Sequence, residues 1–279
     1  MTTMLSQRRD VLRKSLAESD RLLVAYSGGV DSAYLAWEAH QVLADRMLAV
    51  IADSPSLPRR ELAAAIEFAS AHRIPLKVLK TEELSRPEYT RNDASRCFFC
   101  KDELFQAMEA LRSSQGFAAI AYGKNLDDSG EFRPGHRAAV LHNAIAPLAS
   151  AQLGKQDVRD LARSAGLEVW DKAASACLAS RLEYGRPVST EALWQIEVAE
   201  DALCDLGLRH FRVRNHGALA RIEISRKELE TVLSMEWLDR ISVAVRSAGF
   251  QYVTLDCEGY RSGSMNALLS IESITQATQ

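Results

Sequence analysis

Short apolar runs alternate with helix-patterned stretches through the first two thirds of this chain, and no other feature constrains the fold as much. Leu22-Leu23-Val24-Ala25-Tyr26, Met47 to Ala52, Leu76 to Leu79 and Ala118 to Tyr122 have the length and content of buried strands. Between them lie helical patterns over Ser32 to Leu43, over Arg59 to Ala71 behind Pro58, and over Lys101 to Leu111. Asn143 to Ala146, stopped by Pro147, reads as a short fifth strand, and Asp157 to Ala165 as a helix closed by Gly166. Strands separated by helices pair in parallel, with helices on both faces of the sheet. The expected fold class is therefore α/β: a doubly wound, mainly parallel, Rossmann-like sheet. Ligands of such sheets bind outside the carboxyl ends of the strands.

After Ser180 the pattern changes. A helix over Thr190 to Leu206 ends at Gly207, and short strands at Phe211–Arg214 and Ala220–Ile224 are joined through His216-Gly217. Two helices and a strand at Tyr252–Leu255 follow. This reads as a smaller C-terminal α+β domain, with the boundary near Arg186-Pro187, giving domains 1–186 and 187–279.

The formal net charge is −3, which offers no broad basic field for a nucleic acid and suits a small anionic substrate better. The chain shows no apolar run of signal-peptide length near its start and none near the roughly 18 residues of a membrane span. A cytoplasmic, reducing location is expected. The five cysteines are then read as thiols for metals or nucleophilic chemistry before disulfides.

The strongest local signal is Ser27-Gly28-Gly29-Val30-Asp31-Ser32, set between a strand and a helix. Glycines let backbone amides face an anion, and the helix start adds partial positive charge. The Ser27 and Ser32 hydroxyls are candidate donors to phosphate, and Asp31 is a candidate magnesium ligand. The lysine of the Gly-x4-Gly-Lys phosphate loop is missing, so the string suits pyrophosphate as a leaving group. It resembles the PP-loop of ATP pyrophosphatases, which implies cleavage of ATP to AMP and pyrophosphate through an adenylate. Asp53-Ser54-Pro55 and Gly123-Lys124-Asn125 follow the second and fourth strands. They are candidate nucleotide contacts, or plain turns; Asp127 and Asp128 beyond them fit either a metal or a capped turn.

Cys97-Phe98-Phe99-Cys100 opens a helix, where amides and dipole stabilise thiolates. Two intervening residues let both sulfurs reach one metal. Cys177 lies far along the chain, in Ala176-Cys177-Leu178-Ala179-Ser180-Arg181. Three readings stand open: a structural zinc pair, inert buried thiols, or, with Cys177 as the third thiolate, a 4Fe-4S cluster with one iron lacking a protein ligand. Cys204 and Cys257 read as incidental.

Taken together these residues resemble the LarE family of ATP-dependent sulfur transferases. The likeness also runs through Pro58 to Leu62, Arg96 to Lys101, Arg133-Pro134-Gly135, Trp170-Asp171-Lys172 and Phe211 to Gly217, and ends in Thr254-Leu255-Asp256 and Glu258 to Ser264. Lys124 departs from it, standing where the family pattern has threonine. The resemblance implies that ATP adenylates a carboxylate of pyridinium-3,5-dicarboxylate mononucleotide and that sulfur then displaces AMP, in synthesis of the nickel-pincer nucleotide of lactate racemase. Sulfur comes either from a 4Fe-4S cluster on Cys97, Cys100 and Cys177 or from Cys177 alone, sacrificed; the three cysteines favour the cluster. It further implies a sulfide donor, cofactor-biosynthesis partner proteins and a homo-oligomer. Arg212 and Arg214 alternate along a strand and suit a phosphate, and Arg181 suits charge developing near the acyl centre. The competing readings are an amidating PP-loop synthetase, a tRNA-thiolating enzyme and a nucleotide-binding module without catalysis.

Overall fold

The computed structural model describes residues 3–130, 134–173 and 176–261. In chain order its helices are α1 (Thr3–Ala17), α2 (Val30–Leu43), α3 (Arg59–Ala71), α4 (Pro87–Thr90), α5 (Arg96–Gln115), α6 (Pro134–Leu141), α7 (Pro147–Ser150), α8 (Lys155–Ser164), α9 (Thr190–Asp205), α10 (Arg226–Val232) and α11 (Met235–Arg246). Its strands are β1 (Leu22–Ala25), β2 (Met47–Asp53), β3 (Leu76–Lys80), β4 (Ala119–Tyr122), β5 (Phe211–His216), β6 (Leu219–Ile224) and β7 (Tyr252–Leu255). The described chain divides into two compact units: residues 84–96 fall with 176–261, and the rest forms the first unit.

The first unit is built on a parallel sheet of order β3-β2-β1-β4, in which Leu22 faces Met47 on one side and Ala119 on the other. The central strand β1 is apolar and buried throughout because both faces are covered, whereas the edge strand β3 carries Lys77 and Lys80 and is only partly buried. Leu22, Val24, Ala49 and Ile51 pack with Leu12 of α1, Leu35 of α2, Phe68 of α3 and Leu161 of α8. Their neighbours Leu23, Ala25 and Val50 point the other way, onto Phe105 and Met108 of α5 and Ala138 of α6. This is the α/β architecture of a parallel sheet flanked by helices, compatible with the Rossmann-like class. α1, which the alternation does not announce, is fastened by Arg9 and Arg13 to the fully buried Glu38, which also accepts from Tyr34 Oη at 2.9 Å.

The fifth strand expected at Asn143–Ala146 is a single bridge, Ala121 to Ile145. Asn143 takes a left-handed φ of 51° and Pro147 already opens α7, so no further residues extend the pairing.

The second unit holds a three-stranded sheet of order β5-β6-β7. β5 and β6 are an antiparallel hairpin, and β7 returns parallel to β6 after α10 and α11. Val213, Ile222 and Ile224 pack against Leu203 of α9 and Ile241 and Val245 of α11. The excursion at 84–96 is bonded into this unit. Asn92, fully buried, donates from Nδ2 to the carbonyls of Glu183 and Arg186 at 2.9 and 2.8 Å, and its own carbonyl accepts from Gly185 N at 3.0 Å. Val188 N reaches Thr90 O at 2.8 Å. Arg186 and Pro187, where the sequence pattern changes, thus lie inside the second unit. Among the described residues no helix is long and apolar enough to cross a membrane.

Candidate functional site

All four strands of the first sheet run parallel, so their carboxyl ends share one edge. β1 has β2 on one side and β4 on the other, which makes the β1–β4 border the point where connections diverge, the place at which sheets of this kind bind ligands. The Ser27–Ser32 turn leaves β1 there. Gly28 has φ +74°, and a Cβ on it would lie 2.8 Å from Ala65 Cβ, so both backbone angle and space require glycine. Ser32 Oγ accepts from Ser27 N at 3.0 Å and donates to Gly29 O at 3.1 Å; Ser27 Oγ stands 3.0 Å from it. No side chain caps the start of α2 at Gly29. Val30 is buried at the first position of that helix.

Asp31 pairs through Oδ2 with Lys155. Its Oδ1 is buried and has no hydrogen-bond partner among the described residues. A carboxylate oxygen in that state fits a hard divalent cation such as Mg2+. Lys172 closes the turn from behind, donating to Gly28 O at 3.1 Å while pairing with Glu61 of α3 at 2.7 Å.

Gly123 belongs to the same cluster. A Cβ on it would lie 2.8 Å from Ser32 N, so the close approach it permits is to the first turn of α2. Asp53 ends β2 and Ser54 follows it at the same edge: Asp53 pairs with Arg59, and Ser54 Oγ donates to the buried Glu83. The acidic pair beyond Gly123 forms a capped turn. Asp128 Oδ2 accepts from Asn125 N at 3.1 Å, Asn125 Oδ1 accepts from Asp127 N at 2.9 Å, and Asp127 Oδ2 accepts from Lys155 N at 2.7 Å.

Cys97 and Cys100 stand one turn apart at the start of α5, exposed and half-buried, and neither is in a disulfide. Beside them Gly135 lets α6 pack closely on α5, since a Cβ there would lie 3.0 Å from Lys101 Cγ, and the Arg137 guanidinium covers the Phe98 ring at 4.1 Å. Arg133 and Ser262 to Ser264, parts of the family likeness, lie outside the described residues. Among the described residues no group of three or more His, Cys, Asp or Glu is placed to hold a metal ion.

The second unit brings Cys177, Arg181, Arg212 and Arg214 into one neighbourhood. Half-buried Cys177 begins a 3-10 turn, and its carbonyl accepts from Ser180 N, Ser180 Oγ and Arg181 Nη1 at 2.9, 2.7 and 3.0 Å. Arg181, 2% exposed, clasps Glu200 of α9 with Nε and Nη2, and Glu200 Oε1 also accepts from Val213 N of β5 at 3.0 Å. Arg214 donates to Ser180 O at 2.9 Å and pairs with the buried Glu223 at 2.7 Å. Arg212 lies over the Tyr260 ring at 5.0 Å. Burial, and then the positive charge of Arg181, hold the Arg212 pKa below the usual guanidinium value; Glu200 opposes this and Arg214 adds to it. An electropositive cluster of this kind favours an anion.

Lys155, Glu200 and Glu223 escaped the sequence reading. Each matters through a partner remote in the chain, and none sits in a recognisable motif. A weak signal existed for Lys155, which follows Gly154 at the start of a helix pattern.

No protein-family model matches the chain. It is 39% identical to an uncharacterised protein of Synechocystis, over 96% of this chain and 100% of that protein. To the pyridinium-3,5-bisthiocarboxylic acid mononucleotide synthase of Lactiplantibacillus plantarum it is 32% identical, over 95% of this chain and 96% of the synthase. An uncharacterised protein of Methanocaldococcus jannaschii is 29% identical, over 89% of this chain and 94% of its own length.

Proposed function

This chain belongs to the LarE family of pyridinium-3,5-bisthiocarboxylic acid mononucleotide synthases, and we propose that it carries out ATP-dependent sulfur transfer to the carboxylates of a pyridinium-3,5-dicarboxylate mononucleotide. The observation that carries this reading is the likeness to the Lactiplantibacillus synthase along 95% of the chain. The geometry of the Ser27–Ser32 turn supports its ATP half.

In this reading the first unit is a PP-loop ATP pyrophosphatase domain. Its turn, with Gly123 packed beneath, receives the phosphates, and Asp31 Oδ1 holds Mg2+. A substrate carboxylate oxygen attacks the α-phosphorus, the bond to the β-phosphate oxygen breaks, and pyrophosphate leaves carrying the released electron pair; a bound Mg2+ would supply charge neutralisation there. The acyl-adenylate that results has AMP as a good leaving group. Sulfur attack at the acyl carbon expels AMP and leaves a thiocarboxylate; a second round on the other carboxylate completes the product.

In the second unit Arg212 receives the mononucleotide phosphate. An anion there relieves the cost of a buried guanidinium beside Arg181. Arg214, held by Ser180 and Glu223, lends charge from a fixed position. Arg181 fixes the backbone of Cys177 and faces charge near the acyl centre. Three thiolates are the donor chemistry that a 4Fe-4S cluster with one open iron requires, and in this reading Cys97, Cys100 and Cys177 would hold it. When bound, such a cluster supplies a site for an added sulfide. The partners in this reading are the mononucleotide, a sulfide donor, cofactor-biosynthesis proteins and further copies of the chain, in the cytoplasm.

The test is incubation with ATP, Mg2+ and the dicarboxylate mononucleotide under anaerobic conditions. Pyrophosphate release that needs the mononucleotide, with one oxygen of the substrate exchanged for sulfur by mass, is the expected result. Release of pyrophosphate with nitrogen entering the substrate would make this an amidating synthetase, and no release would make it a binding module.

A further inference from the structure

We propose that Lys155 gates the Asp31 carboxylate: without nucleotide it occupies an oxygen of the metal-binding carboxylate, and it moves onto the phosphate chain when Mg2+ and ATP enter together. The proposal rests on the reading of the Ser27–Ser32 turn as a phosphate site and deepens it.

Lys155 and Asp31 are 124 residues apart in sequence and meet only through the fold. The backbone of Lys155 is fixed. Its N–H donates to Asp127 Oδ2 at 2.7 Å, and the preceding Gly154 N donates to Asp157 Oδ2 at 3.1 Å, which caps α8. Gly154 is pressed against the Asp127 carboxylate, where a Cβ would come within 3.0 Å. The stem of Lys155 thus starts from an anchored point, while its side chain is 40% exposed against 18% for Asp31. A lysine ammonium is a compact charge on a flexible stem, so it can change partners without moving the helix. The Asp31 carboxylate is held half-used: Oδ2 faces Lys155 and Oδ1 is buried with no donor to accept from among the described residues.

Charge balance sets the order of events. Mg2+ arriving alone must share Asp31 with Lys155, or expel the ammonium with no anion to receive it. ATP supplies that anion. With the triphosphate in the turn, Lys155 gains phosphate oxygens as partners, and the Asp31 carboxylate is released to hold the metal. Free Mg2+ is therefore disfavoured in the empty site, and metal and nucleotide favour each other's binding.

The experiment measures binding of Mg2+ alone, of ATP without metal, and of the two together, by titration calorimetry on the wild type, Lys155→Met and Lys155→Gln. The gate requires effects of opposite sign. Both variants bind Mg2+ alone more tightly, by about threefold or more, and ATP more weakly, by about tenfold or more, as loss of one charge-assisted contact implies. Lys155→Arg keeps the charge and recovers most of the ATP affinity. Far-UV circular dichroism and melting check that α8 is intact, and two uncharged replacements of different shape guard against a folding artefact. Weakening of both ligands alike, or no change in either, makes Lys155 a structural ion pair and overturns the gate while leaving the phosphate-loop reading in place. A wild-type protein that binds neither ATP nor inorganic pyrophosphate removes that reading, and the gate with it.

Discussion

Arg181 Nη1 donates to the Cys177 carbonyl oxygen at 3.0 Å while Nε and Nη2 of the same guanidinium hold the Glu200 carboxylate at 3.0 and 2.9 Å. One side chain thereby fixes the thiol-bearing turn to α9. Removing it as Arg181→Ala leaves Glu200 and three backbone or hydroxyl acceptors without their donor. The expected loss is about 3–5 kcal/mol of stability, the cost of orphaning a buried partner. Urea unfolding of the full chain measures it. Arg181→Lys recovers part of the stability but not the fork geometry, so sulfur transfer stays impaired.

Gly28→Ala places a Cβ 2.8 Å from Ala65 Cβ on a residue with φ +74°. A destabilisation of about 1–3 kcal/mol is expected from strain and clash together. Pyrophosphate release should fall far more than stability does, because the turn itself is displaced. The double variant Gly28→Ala with Ala65→Gly relieves the clash alone, so melting temperature recovers in part and activity stays low.

The cysteines separate two sulfur routes. Protein prepared without oxygen should carry about four iron atoms per chain. Cys97→Ala should abolish both iron and sulfur transfer, and Cys177→Ala likewise. If Cys97→Ala transfers sulfur at full rate while Cys177→Ala is dead, the donor is Cys177 itself. Mass spectrometry of the protein would then find a sulfur missing from that residue after one turnover.

Glu228 gives the second unit a pH-dependent clasp. Burial raises its carboxyl pKa, but the amides of Arg209 and His210 and the Ser225 hydroxyl outweigh burial and hold it below the ordinary 4.5. A group whose folded pKa is depressed stabilises the fold above its unfolded pKa, and that stability is lost as pH falls through the folded value. The stability difference between wild type and Glu228→Gln should therefore be constant at neutral pH and shrink below 4.5. Denaturant melts of both proteins from pH 7 to pH 3 (roughly the range in which carboxylates titrate) measure this. A difference that does not change with pH would assign the clasp to shape alone.

Period and punctuation made much of the fold legible. The four parallel strands stand where apolar runs of strand length occur, and β5, β6 and β7 were visible from the same pattern. α1 was not, because its three buried leucines, Leu5, Leu12 and Leu16, are sparse in a polar segment. The Asn143–Ala146 run reads as a strand because Ala144, Ile145 and Ala146 form a short apolar stretch before Pro147, which the left-handed Asn143 overrides. At the site the turn from Ser27 to Ser32 could be read because glycine and hydroxyl requirements are local. The partners of Asp31, Arg181 and Arg214 could not, since Lys155, Glu200 and Glu223 meet them only by folding. The same blindness applies to Asp53 and Ser54, whose engagement by Arg59 and Glu83 no short motif announces.

The thirteen-residue excursion from Leu84 to Arg96 makes the second unit discontinuous. Arg96, the residue just before Cys97, donates to Ala179 O at 2.8 Å, two positions after Cys177. A polypeptide severed after residue 175 would keep Asn92 and Arg96 but lose the carbonyls they serve, and the severed remainder would lack the amide and guanidinium that complete it. Neither half is a self-sufficient folding module. Evolution by swapping the C-terminal portion onto another nucleotide-binding protein would have to carry this inserted loop along with it.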